Sequence, residues 1–97
     1  YAALARDAYR ASLAIRETLA RRDPGNATWQ RDLIVSLVKT SMSSPADARA
    51  ALIRALAIAR ELAAAGKLAP TDSGMPNLIA ARLAALPPEP GAPPHPP

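Results

Sequence analysis

Apolar residues recur every three to four positions along most of the chain, which is the spacing of α-helices that bury one face. In the first segment, over 1–22, alanines fill the gaps between the larger apolar residues Leu4, Tyr9, Leu13, Ile15 and Leu19. On a helical wheel these positions cover about half of the circumference. A helix of this kind needs neighbours on two sides, so we predict a multi-helix packing.

The stretch RRDPGNATWQRDL interrupts this pattern and predicts a corner between two helices. Pro24 cannot continue a helix, and it biases Asp23 away from helical dihedral angles. Gly25 can adopt a positive φ for the reversal. Asn26 is a suitable N-cap residue, so we predict that a second helix begins directly after it.

The second helix, predicted over 27–42, separates apolar from polar residues. Its apolar face consists of Trp29, Leu33, Ile34, Leu37 and Val38. The other side is lined by Asp32, Ser36, Lys39 and Ser43. Because it is rich in β-branched residues, we expect packing to support it more than helix propensity does.

The stretch SSPAD predicts the start of a third helix. Ser44 can cap it, and Pro45 suits the first helical position. Asp47 follows Ser44 by three residues, as the acidic residue of a capping box does. We predict that this helix continues to about Ala65, with Gly66 as the residue that terminates it.

A loop over 67–74 and a short fourth helix over 76–86 complete the predicted helical region, 1–86. The stretch PPEPGAPPHPP, 87–97, is incompatible with helix or strand and predicts a disordered, polyproline-prone tail. No stretch alternates apolar and polar residues with β-branched enrichment, so we predict no strand. The fold class is therefore all-α, with four helices and a disordered tail.

The helices form a sequence repeat. A shift of 43 residues places two motifs of the first helix on the third: Leu13-Ala14-Ile15 on Leu56-Ala57-Ile58, and Leu19-Ala20 on Leu62-Ala63. The second and fourth helices share DLIV, from Asp32, and NLIA, from Asn77. A helix pair of about forty residues that occurs twice is typical of stacked antiparallel helical hairpins.

The spacing of small, bulky, small and Leu residues resembles the second helix of a tetratricopeptide repeat. It occurs at Ala5, Tyr9, Ser12 and Leu13, and again at Ala48, Leu52, Ala55 and Leu56. SLAIRETLARRDPGNATWQRDL resembles the lengthened bacterial variant, similar to kinesin-light-chain repeats, whose second helix runs further before its Asp-Pro. The resemblance covers residues 1–65 and implies a solenoid of stacked helix pairs.

Two features depart from the family pattern. KTSMSSPAD stands where the family has an Ile/Leu-Gly pair and then a Gly-Asp turn, and GKLAPTDSGMP replaces the next Asp-Pro corner. These departures leave open which positions face a ligand. We interpret the second unit as degenerate and the chain as the C-terminal fragment of an array that extends upstream of Tyr1.

The resemblance implies a non-enzymatic scaffold that binds a protein or peptide on a concave wall, lined mainly by the first helix of each pair. The candidate partner-binding residues are Trp29, Asp32, Ser36 and Lys39. An alternative role for Trp29 is packing the corner against the preceding helix. Two units are fewer than such stacks usually need, so we expect marginal stability or self-association through the exposed first helix.

Composition and charge add a second hypothesis. Of the 97 residues 49% are apolar, but there is no Phe, so the core requires close packing of Ala-rich helices. The net charge of +4 keeps a basic nucleic-acid-binding module open as an alternative. The candidate contacts for a nucleic acid or an acidic peptide are Arg31, Arg49, Arg54 and Arg60. The charges are nevertheless dispersed, as on a solvated surface, and aromatic residues for base stacking are scarce.

No pattern predicts catalysis. His95, the single histidine, lies in the Pro-rich tail without the fixed surroundings that a general base needs. Cysteine is absent, carboxylates are scattered, and no Gly-rich phosphate loop occurs. We therefore expect no enzyme activity, cofactor, metal or small-molecule substrate in these residues. A third hypothesis makes them the regulatory appendage of an enzyme located upstream.

No uninterrupted apolar stretch reaches the roughly 18 residues of a transmembrane helix. We therefore expect no membrane association. A cytoplasmic location is the corresponding expectation.

Overall fold

The computed structural model describes residues 2–87, which form four α-helices and a short 3-10 helix. The α-helices are α1 (Ala2–Arg22), α2 (Ala27–Ser43), α3 (Ala48–Ala64) and α4 (Met75–Ala84), and the 3-10 helix spans Pro70–Asp72. Residues 2–87 contain no strand, so the predicted all-α class is confirmed. The predicted tail beyond Pro87, including His95, lies outside the described residues.

Each helix packs against the next one in the chain. α1 also lies beside the start and middle of α3, because Arg10 Nη2 is 2.7 Å from Asp47 Oδ2 and Arg54 pairs with Glu17. α2 and α4 meet across an open groove. This packing is compatible with stacked helical hairpins.

α3 packs against both α2 and α4, and more of its residues are buried than in either of those helices. Its buried residues recur every three to four positions: Ala48, Ala51, Leu52, Ala55, Leu56, Ala59 and Leu62. Ala55 and Ala59 are fully buried, and their small side chains let the neighbouring helices approach closely. Dense packing of small residues therefore replaces the large aromatic side chains that the composition lacks.

The corner between α1 and α2 is fixed by two side chains. Asn26 Oδ1 accepts a hydrogen bond from the Trp29 backbone N–H at 3.1 Å, which confirms Asn26 as the N-cap residue of α2. Gln30 Nε2 donates to the Ala20 carbonyl oxygen at 3.2 Å. Since Ala20 lies in the last turn of α1, this bond holds the two helices in their antiparallel arrangement.

The prediction of a positive φ at Gly25 is wrong. Among residues 2–87 only Gly66 has a positive φ. The reversal after α1 is made by a tight turn, in which the Asn26 N–H donates to the Asp23 carbonyl oxygen at 3.0 Å. Pro24 and Gly25 occupy the middle of that turn without needing the left-handed region.

The end of α3 follows the prediction. Gly66 has a φ of +69°, which glycine adopts without a steric penalty. The Lys67 N–H donates to the Leu62 carbonyl oxygen at 2.9 Å, and the Gly66 N–H donates to the Ala63 carbonyl oxygen at 3.1 Å. This pair of bonds is the Schellman arrangement that terminates a helix with glycine.

The start of α3 does not follow the prediction. The helix begins at Ala48, with Asp47 as its N-cap residue and no side-chain capping bond, so the predicted capping box is wrong. Ser44 instead ends α2, because its backbone N–H donates to the Thr40 carbonyl oxygen at 3.0 Å. The Ser44 side chain is buried, and its hydroxyl donates to Asp47 Oδ2 at 2.8 Å. A buried hydroxyl needs a partner, and here the carboxylate supplies it.

Candidate functional site

An open groove of about 300 Å³ separates α2 from α4. α2 lines it with Ile34, Val35, Val38, Lys39 and Met42. α4 lines it with Met75, Leu78, Ile79 and Arg82. On each helix these positions are spaced by three or four residues or are adjacent, so each set forms one helical face.

The groove has a buried floor and exposed walls. Ile34 and Ile79 are buried and belong to the hydrophobic core, so they form the floor. Met42 and Leu78 are 67% and 59% exposed, and they stand on opposite sides. Large apolar side chains that remain exposed around a concavity are typical of a surface that binds another molecule.

The charged residues that line the groove are both positive. Lys39 comes from α2 and Arg82 from α4, and both are exposed. Long Lys and Arg side chains lay their methylene groups along apolar surface while the charge stays in water. The groove therefore combines an apolar interior with a positive charge on each side.

Both methionines of the chain, Met42 and Met75, line this groove. The methionine side chain is unbranched and polarisable, so it adapts to partners of irregular shape. Two such side chains give the groove an adjustable surface.

The four candidate residues predicted from the sequence occupy different environments. Lys39 lines the groove. Ser36 is only 8% exposed and is therefore removed from the accessible surface. Trp29 and Asp32 are half-buried nearer the start of α2 and do not line the groove. The structure thus brings Lys39 alone of the four to this site.

The sequence pattern did not identify Val35, Met42 and Leu78 as candidate partner-binding residues. Val35 and Met42 lie seven residues apart on α2, outside the apolar face that was assigned to its core side. An apolar pair two turns apart on the other side of an amphipathic helix is the signal that could have revealed them. No sequence pattern indicated that Leu78 would be exposed, because its exposure depends on how many helices surround α4.

Three arginines of the nucleic-acid hypothesis contact groups on other elements of the fold. Arg31 pairs with Asp72, Arg54 pairs with Glu17, and Arg49 Nη2 donates to the Pro87 carbonyl oxygen at 2.7 Å. These contacts tie together residues about forty positions apart in the sequence. Three of the four candidate arginines therefore make contacts within the fold.

The pair formed by Arg31 and Asp72 links α2 to the segment that leads into α4. Arg31 Nε lies 2.7 Å from Asp72 Oδ2, and Arg31 Nη2 lies 3.3 Å from Asp72 Oδ1. The hydrogen bond from the guanidinium holds the pKa of the Asp72 carboxyl below its usual value, because it favours the ionised form. The same hydrogen bond and charge raise the pKa of Arg31.

Within residues 2–87 no group of three or more His, Cys, Asp or Glu residues is arranged to hold a metal ion. Nor does any helix there have both the length and the apolar character that crossing a membrane requires.

Comparisons of the chain with protein-family models, curated proteins and solved structures found no match. The function therefore has to be inferred from the groove and its surroundings.

Proposed function

We propose that this chain is a non-enzymatic protein-interaction module that binds a peptide segment of a partner protein in the groove between α2 and α4. The observation that carries the proposal is the apolar groove of about 300 Å³ with exposed Met42 and Leu78 on its two sides. The groove lies between the first helices of the two sequence units. The tetratricopeptide resemblance implies that such helices line the binding wall.

The chemistry of the groove defines the kind of partner. The apolar walls fit one or a few bulky apolar side chains, which anchor most protein interfaces. Lys39 and Arg82 fit carboxylates beside those anchors, because complementary charges speed association and select the partner. The partner segment we propose is therefore amphipathic and acidic, with apolar residues entering the groove and Asp or Glu residues beside its rim.

The same features favour a peptide over a nucleic acid. Nucleic-acid sites combine dense positive charge with aromatic side chains on which bases stack. The groove has two cations and no aromatic residue, and three of the four candidate arginines contact groups within the fold. Fluorescence anisotropy with labelled DNA and RNA at low salt tests the alternative, and strong, salt-sensitive binding there would replace the peptide proposal.

A peptide-display screen tests the proposal directly. Random peptides are selected on the immobilised chain and measured against two variants, Met42→Glu in the groove and Ile53→Glu on α3 as the matched control. Ile53 is exposed and does not line the groove, so its substitution leaves binding unchanged. Met42→Glu weakens binding by roughly tenfold or more, because a carboxylate there meets both an apolar ligand and the ligand's own acidic groups.

The selected sequences provide the second criterion. We expect them to share apolar residues with Asp or Glu close by, and we expect their affinity to fall when salt screens the charges of Lys39 and Arg82. A screen that enriches no peptide would contradict the proposal. So would peptides whose affinity is the same for the unaltered chain and for Met42→Glu.

A further inference from the structure

α4 exposes a face that α2 buries. A shift of 45 residues, set by DLIV and NLIA, aligns the two helices. The α2 face consists of Leu33, Ser36, Leu37 and Thr40, and all four are buried. The aligned residues of α4 are Leu78, Ala81, Arg82 and Ala85, and all four are exposed.

Within the chain, α3 and α1 cover this face of α2. Leu37 and Thr40 line an open pocket together with Ala50 and Ala51 of α3 and with Leu13 of α1. α2 and α3 also form the most extensive helix contact among the described residues. α4 packs on α3 with its other side, through Ile79, so no helix within residues 2–87 covers its outer face.

α1 exposes a face that corresponds to the side of α3 that packs on α2. A shift of 43 residues aligns Ala8 with Ala51 and Ile15 with Ile58. In α3 these residues face α2, because Ala51 shares a cavity with Leu37 and Ile58 shares one with Gln30. In α1 the aligned residues are exposed, and Ile15 is 63% accessible.

The exposed residues of α1 form a continuous apolar stripe. Leu4, Ala8, Ala11 and Ile15 follow one another at intervals of four, three and four residues, so they lie on one side of the helix. All four are exposed, and Leu4 is exposed more than Ile15. An apolar stripe of this width is the surface that a second helix covers in a helix pair.

We propose that the chain associates head to tail, with the outer face of α4 in one copy packing against the apolar stripe of α1 in a second copy. The two faces correspond to the two sides of the α2–α3 interface, which the chain already forms once. Each copy therefore carries, at each end, a face that aligns with one side of this interface, with Leu78 in the place of Leu33 and Ile15 in the place of Ile58. The contact is heterologous, so both ends of a dimer keep an open face and assembly continues beyond two copies.

The charges at the two faces agree with this pairing. Leu37 and Ala50 line one cavity within the chain, and their aligned residues are Arg82 on α4 and Asp7 on α1. Both of these are exposed. Superposing the new contact on the internal one brings a positive and a negative side chain to the rim of the same pocket, where the opposite charges attract each other.

Two variants that each block one face test the proposal. Ile15→Glu places a carboxylate in the α1 stripe, and Ala81→Glu places one in the outer face of α4. Both positions are exposed, so we expect the variants to fold, and circular dichroism checks their helix content; Ala11→Glu replaces Ile15→Glu if helix is lost. Sedimentation velocity over a wide concentration range then reports the mass of each sample.

The expected results distinguish the head-to-tail contact from symmetric ones. The unaltered chain grows in mass with concentration and does not stop at a dimer. Each variant alone stays monomeric, whereas their equimolar mixture forms a heterodimer through the one intact face that each contributes. A symmetric contact through α1 would instead let Ala81→Glu alone form dimers, and one through α4 would let Ile15→Glu alone do so.

Three results would overturn the proposal. These are a monomeric unaltered chain at every concentration, association that neither substitution changes, and either variant forming dimers alone. Leu78 and Arg82 belong both to the groove and to the outer face of α4, so a peptide in the groove and a second copy compete for them. Met42→Glu still separates the two proposals, because Met42 lines the groove and belongs to neither end face. We expect it to lose peptide binding and to keep the concentration-dependent mass of the unaltered chain.

Discussion

α2 and α4 have related sequences but very different surroundings. Leu33 of α2 is 4% exposed, whereas the aligned Leu78 of α4 is 59% exposed. The cause is the number of neighbours, since α2 packs against α1 and α3, and α4 packs closely against α3 alone. The amphipathic pattern decides which residues are apolar, but the count of neighbouring helices decides which of them remain available for binding.

The largest expected effect comes from truncating the aligned leucines. We expect Leu33→Ala to lower the free energy of unfolding by about 2–5 kcal/mol, because it removes a buried side chain and leaves a cavity. We expect Leu78→Ala to lower it by less than about 1 kcal/mol, because the lost side chain was largely in water. Urea unfolding at low protein concentration measures both values, and equal losses would refute the difference between the two helices.

The glycines in the connections that lead into α2 and α4 should also respond differently. We expect Gly66→Ala to destabilise the chain by about 1–2 kcal/mol, because its positive φ is unfavourable for an L-residue. Gly25 has no such requirement, and an added Cβ would lie 3.8 Å from Asp23 Oδ1, an ordinary contact. Gly25→Ala should therefore be neutral or stabilise by up to about 1 kcal/mol. Thermal unfolding of the two variants, Gly66→Ala and Gly25→Ala, measures these effects. A marked loss of stability for Gly25→Ala would indicate a strained turn.

The two helix starts give a smaller contrast. Asn26 caps α2 through its side chain, whereas Gly74, at the start of α4, offers none. We expect Asn26→Ala to lower the free energy of unfolding by about 1 kcal/mol. Gly74→Ala should have little effect, because φ is negative and the space around the added Cβ is open. Urea unfolding of the Asn26→Ala and Gly74→Ala variants compares the two effects. An unchanged stability of Asn26→Ala would show that the capping bond of Asn26 contributes nothing.

The smallest expected effect is a dependence of stability on pH through Asp72. Its carboxyl has a folded-state pKa below the ordinary value of 3.8, because Arg31 hydrogen-bonds the charged form. The unfolded chain therefore binds the proton more readily, so the contribution is present above about pH 4 and is lost as the pH falls through the lowered pKa. Asp72→Asn should flatten the stability profile in this acidic range. A profile identical to that of the unaltered chain would mean that the pair with Arg31 does not stabilise the link between α2 and α4.

Local sequence signals predicted most of the fold. The periodic apolar residues gave α1, α2 and α4 to within about two residues at each end, and Asn26 and Gly66 act as the capping residues that their types favour. The errors at Gly25 and Ser44 share one cause. At both positions the preference of the residue type was overridden by hydrogen bonds of the folded corner, namely the backbone bond from Asn26 to Asp23 and the buried bond from Ser44 to Asp47.

The candidate site was less predictable than the fold. Lys39 was identified from the polar face of α2, but Ser36, from the same face, is buried because α2 has helices on both sides. Arg82 and Leu78 join the site through the placement of α4 beside α2, which no local pattern encodes. A groove between two helices whose aligned residues are 45 positions apart depends on tertiary packing, so its residues follow from the structure and not from the spacing along one helix.

The most direct test of the peptide-binding groove uses the methyl groups of Met42 and Met75. The chain has two methionines, so a sample labelled with methyl-¹³C methionine gives one NMR signal from each side of the groove. Titration with a selected acidic, amphipathic peptide should shift both signals with the same dissociation constant, while a peptide of the same charge without apolar residues should leave them in place. If the peptide binds and neither methionine signal moves, the groove between α2 and α4 is not the binding site.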